Sequence, residues 1–430
     1  MYKNKFVALI FAIIFLLNSI TFAQSEEDFP EVEEPFQDPK ATVEDYPETD
    51  RPFSRNTHST TINHTDERGN ENISEPEEIP PEEIPVETPI EQPVENPTPQ
   101  VEEGDGLEFL LYNENGVQAF AVIAAHEQYK LRPVLANYQI KGRATVSKTA
   151  ADLNDIATIN AGYFFADGSL IGITKIDGEI VSTDYFNRSA IGINADGSTI
   201  FGRVQYSGKI ILHGEEIEIN GVNVERGVNT LIVYNNKFAQ TTGTNDFGVE
   251  IIEESGIITD IQRGHGNNKI PANGHVISAH GNSAGFFADV RIGDEIIFAE
   301  NLYSEDADFN SAIHILGAGP RLVQDGRVSV TATEENFPAD IRIGRAPRSA
   351  VGVTKYGDYI FAVVDGRQSH SRGCTLEEWA DILLNHFGAF NAINLDGGGS
   401  SALVVKDFLV NSPSDGRERA VGSLLTILPK

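Results

Sequence analysis

The sequence predicts an α+β fold: a strand-dominated mixed sheet domain with few helices. Three observations predict it. Short apolar runs with two-residue alternation recur from Leu107 onward. Pairs such as Asp167-Gly168, Asp177-Gly178, Asp196-Gly197 and Asp325-Gly326 punctuate them, and Asp-Gly supplies the positive φ angles that tight hairpin turns demand. Stretches with helical periodicity are only two.

The strand candidates, in order, are Gln118 to Ala124, Arg132 to Tyr138, Lys209 to Ile219, Thr230 to Tyr234, Ile257 to Ile261, Glu295 to Phe298 and Tyr359 to Val364. The clearer helix runs from Thr375 to Phe387. Thr375 is placed to cap it, Glu378 completes a capping box, and Gly388 ends it. Leu376, Trp379, Ala380, Leu383 and Leu384 give it one apolar face. The second helix candidate is Lys148 to Asp155. Arg188-Ser189-Ala190-Ile191-Gly192-Ile193 echoes Arg348-Ser349-Ala350-Val351-Gly352-Val353, and Ile159-Asn160 echoes Ile393-Asn394. Two pseudo-related halves, or convergence on one strand pattern, would each produce this echo.

Ahead of this domain, residues 1–106 have a different texture. Lys3 and Lys5 precede an apolar run from Phe6 to Leu17, and Thr21-Phe22-Ala23 has small residues at the −3 and −1 positions. That layout is a secretory signal peptide over residues 1–23. The run is shorter than the roughly 18 residues a spanning helix needs, so stable membrane insertion is not expected after cleavage, and the chain is expected to be secreted, periplasmic or at the cell surface. Residues 24–106 hold 25 acidic against 4 basic residues and 13 of the 20 prolines. Such a segment buries too little apolar surface to order itself and reads as a disordered linker. Residues 107–430 are then the folded domain. A net charge of −32 leaves no basic stripe for a nucleic-acid partner. The one cysteine, Cys374, can make no intramolecular disulfide and no thiolate metal site by itself.

Four segments carry candidate chemistry. Asn160 ends an apolar strand and is followed by Gly162 and three aromatics. Arg188 and Arg348 each open an apolar strand; a buried guanidinium is costly without a partner, and its forked donors suit a phosphate. Val363-Val364-Asp365-Gly366-Arg367 delivers the Asp365 carboxylate and Arg367 to a strand end. The sharpest is Asn394-Leu395-Asp396-Gly397-Gly398-Gly399-Ser400-Ser401. Three consecutive glycines suggest close approach to the backbone, and successive N–H groups beside Ser400 and Ser401 form a candidate anion-binding nest.

Together with Gly319-Pro320-Arg321-Leu322, and in this order, these segments resemble the phosphodiester glycosidase family, over roughly Leu107 to Pro429. One departure is Ala161, where a second glycine is usual. The resemblance implies hydrolysis of a sugar-1-phosphodiester or sugar-phosphate polymer at the anomeric carbon, releasing sugar and a phosphomonoester. It implies catalysis by Asp365 or Asp396 as nucleophile or base. Substrate would be held by Asn160, Arg188, His314, Arg348, Arg367, Asn394, Gly397, Gly398, Gly399, Ser400 and Ser401. No cofactor is called for by the sequence, with a divalent metal left open. Two rival readings stand beside it: a metal-dependent phosphoesterase using Asp365, Asp396, His370 and His314, and a non-catalytic carbohydrate- or wall-binding protein.

Overall fold

The computed structural model describes residues 105–153 and 155–430; the expected signal peptide and all but the end of the expected linker lie outside the described residues. Strands dominate and helices are few, as the sequence suggests, but the strands divide into five sheets. Nearly every strand pair is antiparallel; Gly221–Val222 with Leu231–Tyr234 is parallel.

The largest sheet has seven strands, in the order Leu107–Glu114, Val117–Ala124, Tyr359–Val364, Arg348–Thr354, Ala389–Asn394, Arg321–Gln324 and Arg327–Val328. Facing it is a five-stranded sheet ordered Phe408–Leu409, Leu403–Val405, Ala157–Asn160, Ser423–Pro429 and Tyr129–Leu135. The two-residue period of a strand decides what fills the space between them. On Tyr359–Val364, the side chains of Tyr359, Phe361 and Val363 join Ile159, Leu403, Leu425 and Ile427 in one buried cluster. Ile360, Ala362 and Val364 point the other way and pack with Leu376, Trp379, Ala380 and Leu383 of the helix Leu376–Asn385. Both faces of this strand are therefore dry, which is why it reads as a continuous apolar run. The remaining three sheets enclose a further core around Ile173, Ala190, Leu231, Ile251 and Ile277.

Several expected elements form where the pattern places them. The Leu376–Asn385 helix has its capping box, with the Thr375 hydroxyl accepting from Glu378 N at 3.2 Å and Glu378 Oε2 accepting from Thr375 N at 3.1 Å. The second helix is Val146–Leu153. Lys209 to Ile219 is a hairpin of Gln205–Leu212 and Glu215–Ile219, because His213 and Gly214 both take positive φ, 53° and 84°. Arg132 to Tyr138 is corrected: the strand is Tyr129–Leu135, and Ala136–Tyr138 turns as a 3-10 helix, with Asn137 and Tyr138 at φ 52° and 62°.

The two Arg-Ser-Ala strands each lead into an antiparallel hairpin, Ser189–Ile193 with Thr199–Arg203 and Arg348–Thr354 with Tyr359–Val364. The two Ile-Asn strands do not correspond in this way. Ala389–Asn394 lies beside Arg348–Thr354, whereas Ala157–Asn160 and Ser189–Ile193 are in different sheets.

Candidate active site

Strand Ala389–Asn394 runs out of the large sheet into Leu395 and Asp396. The glycine-serine segment then crosses to the facing sheet, where Leu403–Val405 begins. The crossing closes as a 3-10 turn at Gly398–Ser400. Gly398 has φ +63°, and a Cβ there would lie 3.3 Å from Arg367 Nη1. At Gly399, a Cβ would collide with the guanidinium of Arg419 and the carboxylate of Asp415, which are paired at 2.7 Å. Close approach of side chains to this backbone explains why no larger residue fits.

The expected open nest is corrected. The N–H of Gly397 bonds Asp396 Oδ1 (2.9 Å), that of Gly398 bonds Pro347 O (2.9 Å), and those of Ser400 and Ser401 bond Gly397 O and Gly398 O (both 3.2 Å). A tight turn needs those donors for itself. Among the side chains of the turn, the Ser400 and Ser401 hydroxyls are left buried and without a hydrogen-bond partner.

Asn160 holds this turn from behind. Its Nδ2 donates to Asp396 O at 2.6 Å, while its Oδ1 accepts from Ser349 Oγ at 2.7 Å and from Ala402 N at 3.1 Å. It is fully buried, so it positions the turn rather than facing solvent. Asn394, also buried, donates to the Tyr163 hydroxyl at 3.1 Å and leaves its Oδ1 without a partner.

The two aspartates occupy different environments. Asp396 keeps part of its surface open. Desolvation of its carboxyl pushes the pKa up to about 6, against the opposing pull of Ser400, Arg419 and the Gly397 N–H. The Ser400 hydroxyl is thus near enough to favour the carboxylate while completing no hydrogen bond in this geometry. Asp365 is 0% exposed. Its Oδ1 accepts from Ser412 N at 2.9 Å and Asn411 Nδ2 at 3.4 Å, and its Oδ2 lies 3.1 Å from His370 Nε2. Burial raises its pKa, and the bonds from His370, Ser412 and Asn411 pull it back. His370 is 40% exposed. With Asp365 charged, the proton on Nε2 faces the carboxylate and Nδ1 is free to accept. Asn411 Nδ2 also donates to Ser401 O at 3.1 Å, so one side chain links the Asp365–His370 pair to the glycine-serine turn.

The arginines separate by partner. Arg348 is 3% exposed. Its Nε donates to Cys374 O at 2.9 Å, and its Nη2 to Ile341 O at 3.1 Å and Gly344 O at 2.6 Å. The fork expected for a phosphate thus ties two loops to the large sheet. Arg188 is half-buried, with its guanidinium over the rings of Phe337 (3.9 Å), Phe186 (4.3 Å) and Tyr163 (5.8 Å). Arg367 is exposed, lies against Gly398, and makes no hydrogen bond or ion pair among the described residues. A cation beside the turn with no acid to neutralise it suits an anionic ligand.

His314 is not brought to this place. It sits in strand His314–Gly317, where its Nδ1 accepts from Asp177 N at 3.1 Å and Nε2 lies 3.8 Å from Asp177 Oδ1. Of the four side chains a metal phosphoesterase would gather, Asp365 and His370 touch, and among the described residues no three His, Cys, Asp or Glu side chains form a metal-holding group. The residues that sequence reasoning missed, Asn411, Ser412, Asp415 and Arg419, come from a single loop after Leu409 that carries no apolar period to signal its position.

Residues 247–428 match the family model described as phosphodiester glycosidase. Over these residues the chain is similar to the phosphodiester glycosidase family. The span holds both aspartates, Arg348, Arg367 and the whole glycine-serine turn. The chain is 46% identical over 68 residues to N-acetylglucosamine-1-phosphodiester alpha-N-acetylglucosaminidase of Bos taurus, a match covering 16% of this chain and 12% of that protein. It is 42% identical over 89 residues to the SPbeta prophage-derived uncharacterized protein YomE of Bacillus subtilis (strain 168), covering 21% of this chain and 14% of that one. The matched segments therefore span a small part of either relative. A solved hypothetical protein from Synechocystis shares the fold with a TM-score of 0.65 and 26% identity, over 76% of this chain and 62% of its own. The phosphodiester glycosidase resemblance is thus borne out over residues 247–428, which hold the motifs from Gly319 onward; the Asn160 segment lies ahead of this span.

Proposed function

We propose that the chain is an exported phosphodiester glycosidase that cleaves the C1–O bond of sugar-1-phosphodiesters, surface or wall sugar-phosphate polymers among them. Residues 1–23 are its signal peptide, 24–106 an acidic spacer and 107–430 the catalytic domain. The observation that carries this reading is the company Asp396 keeps. A partly open carboxylate with a pKa about 6 shares one glycine-serine turn with the unpaired Arg367 and the unpartnered Ser400 and Ser401 hydroxyls.

Phosphate bound at Arg367 and the serines sets the anomeric carbon against Asp396. Asp396 takes a proton from water as the water oxygen attacks C1. The C1–O bond breaks, and its electron pair leaves on the phosphomonoester oxygen. A phosphomonoester is a good leaving group, so stabilising the departing anion matters more than protonating it. Asp365, fully enclosed, does not reach the substrate; it orients His370 at the rim.

The test is hydrolysis of an α-N-acetylglucosamine-1-phospho-alkyl ester in water enriched in oxygen-18. Label in the released sugar is the expected outcome, because water attacks carbon. Label in the phosphate would mean P–O cleavage and would overturn the reading. Absence of turnover across several sugars would point to a carbohydrate-binding protein instead.

A further inference from the structure

Three aromatic rings stand out from the surface of the domain. Phe165 is 37% exposed, Tyr185 64% and Phe186 38%, so the core has little use for them. They form one cluster: Tyr185 meets Phe165 edge-on at 5.9 Å and Phe186 at 4.9 Å. From Phe186 the cluster continues to Arg188, whose guanidinium lies 4.3 Å from that ring and 5.8 Å from the Tyr163 ring. Tyr163 in turn accepts from Asn394 at 3.1 Å, two residues before Asp396. Through the buried Tyr163, a line of contacts thus joins the exposed rings to Asn394, at the end of the strand that leads into Asp396.

Charge agrees with position. Arg188 makes no ion pair among the described residues, and its two hydrogen bonds, to the carbonyls of Glu335 and Asn336, are long at 3.4 and 3.5 Å. A cation set among aromatic faces is held in place by them and keeps its capacity for an anion. A pyranose ring has an apolar C–H face suited to an aromatic surface, and a phosphate attached to that ring would meet the guanidinium.

We propose that Phe165, Tyr185, Phe186 and Arg188 form a second subsite, which stacks the next sugar of a substrate with two or more sugar-phosphate units and pairs its phosphate with Arg188. The inference rests on reading the site as that of a sugar-1-phosphodiester hydrolase. It makes the enzyme selective for chains over single units.

The experiment uses the full-length protein, its Tyr185→Ala and Phe165→Ala variants, and two substrates: an α-N-acetylglucosamine-1-phospho-methyl ester and the same ester extended by a second sugar-phosphate unit. In Tyr185→Ala, the ratio of kcat/KM for the two-unit over the one-unit substrate should fall roughly tenfold, through KM, as suits the loss of one aromatic contact. Calorimetry of the two-unit substrate on Asp396→Asn, with and without Tyr185→Ala, reads the same change as a Kd without needing turnover. An unchanged ratio with an unchanged Kd, or an equal loss on both substrates, would overturn the subsite. Absence of turnover by the wild type on either substrate would instead count against the reading of the catalytic turn, and the calorimetry would still decide the platform.

Discussion

Asp396 and Asp365 are the same side chain put to different uses by their surroundings. A general base works only when deprotonated, so kcat/KM should climb as pH rises through about 6 and flatten above it; a flat profile from pH 5 to 8 would remove Asp396 from that role. Asp396→Asn should lower kcat by about 10²-fold or more. The same variant has a second expected effect. Because the folded pKa is raised from 3.8 to about 6, the folded state binds the proton more tightly than the unfolded chain does. Its contribution to stability is present below the unfolded pKa and is lost as pH rises through the folded one. Asn, which never charges, should therefore raise Tm at pH 8 and change it little at pH 4. The arginines offer a paired contrast. Arg367→Ala removes a cation with no protein partner, so Tm should hold while kcat/KM falls by about 10²-fold from lost stabilisation of the leaving anion. Arg348→Ala leaves the Ile341 and Gly344 carbonyls without their donor and takes one of two donors from Cys374 O, which keeps the Ala346 N–H; each orphaned group is worth about 1–3 kcal/mol when buried, so Tm should fall sharply. Equal Tm losses in the two would mean the guanidinium roles have been misassigned. In the sequence, Arg188 and Arg348 look alike as phosphate forks; what separates them is the set of acceptors each meets, three carbonyls at 2.6–3.1 Å for Arg348 and two long contacts at 3.4 and 3.5 Å for Arg188.

The Leu376–Asn385 helix was legible because every signal that makes it is local. Its cap, its N3 glutamate and its apolar face lie within a dozen residues and need no knowledge of the fold. Thr375→Ala should cost about 1 kcal/mol, read as a lowered midpoint in urea with an unchanged slope; a null result would mean that the packing of Trp379 and Leu383 alone sets the helix. Strand Tyr359–Val364 was legible for the same reason, its six buried residues forming one continuous apolar run. The turn at Gly397–Ser401 was recognised as a site, but its internal hydrogen bonding was not, since three glycines permit both an open nest and a closed 3-10 turn. Pro347 O and the Arg419–Asp415 pair decide between them, and both arrive from elsewhere in the chain.

At the scale of the molecule, the sequence conveyed the strand-dominated class and the acidic first quarter, while the partition into five sheets depends on pairings across long separations. Strand Val117–Ala124 pairs with Tyr359–Val364, and Tyr129–Leu135 with Ser423–Pro429, so both ends of the domain close on each other. The site inherits this topology: Asp365 takes its donors from residues 46 and 47 positions further on, and nothing in the local pattern around Asn411 marks it as their source. Asn160 carries the same dependence further. Its side chain binds groups 189, 236 and 242 residues away, so its bonds exist only after segments that far apart in the sequence have met. Loop closure over such distances is slow and comes late. The turn that carries Asp396 should therefore be among the last parts of the domain to lock into place, and protection of the Ala402 amide from solvent exchange, whose N–H bonds Asn160 Oδ1, is a clock on which that moment can be read.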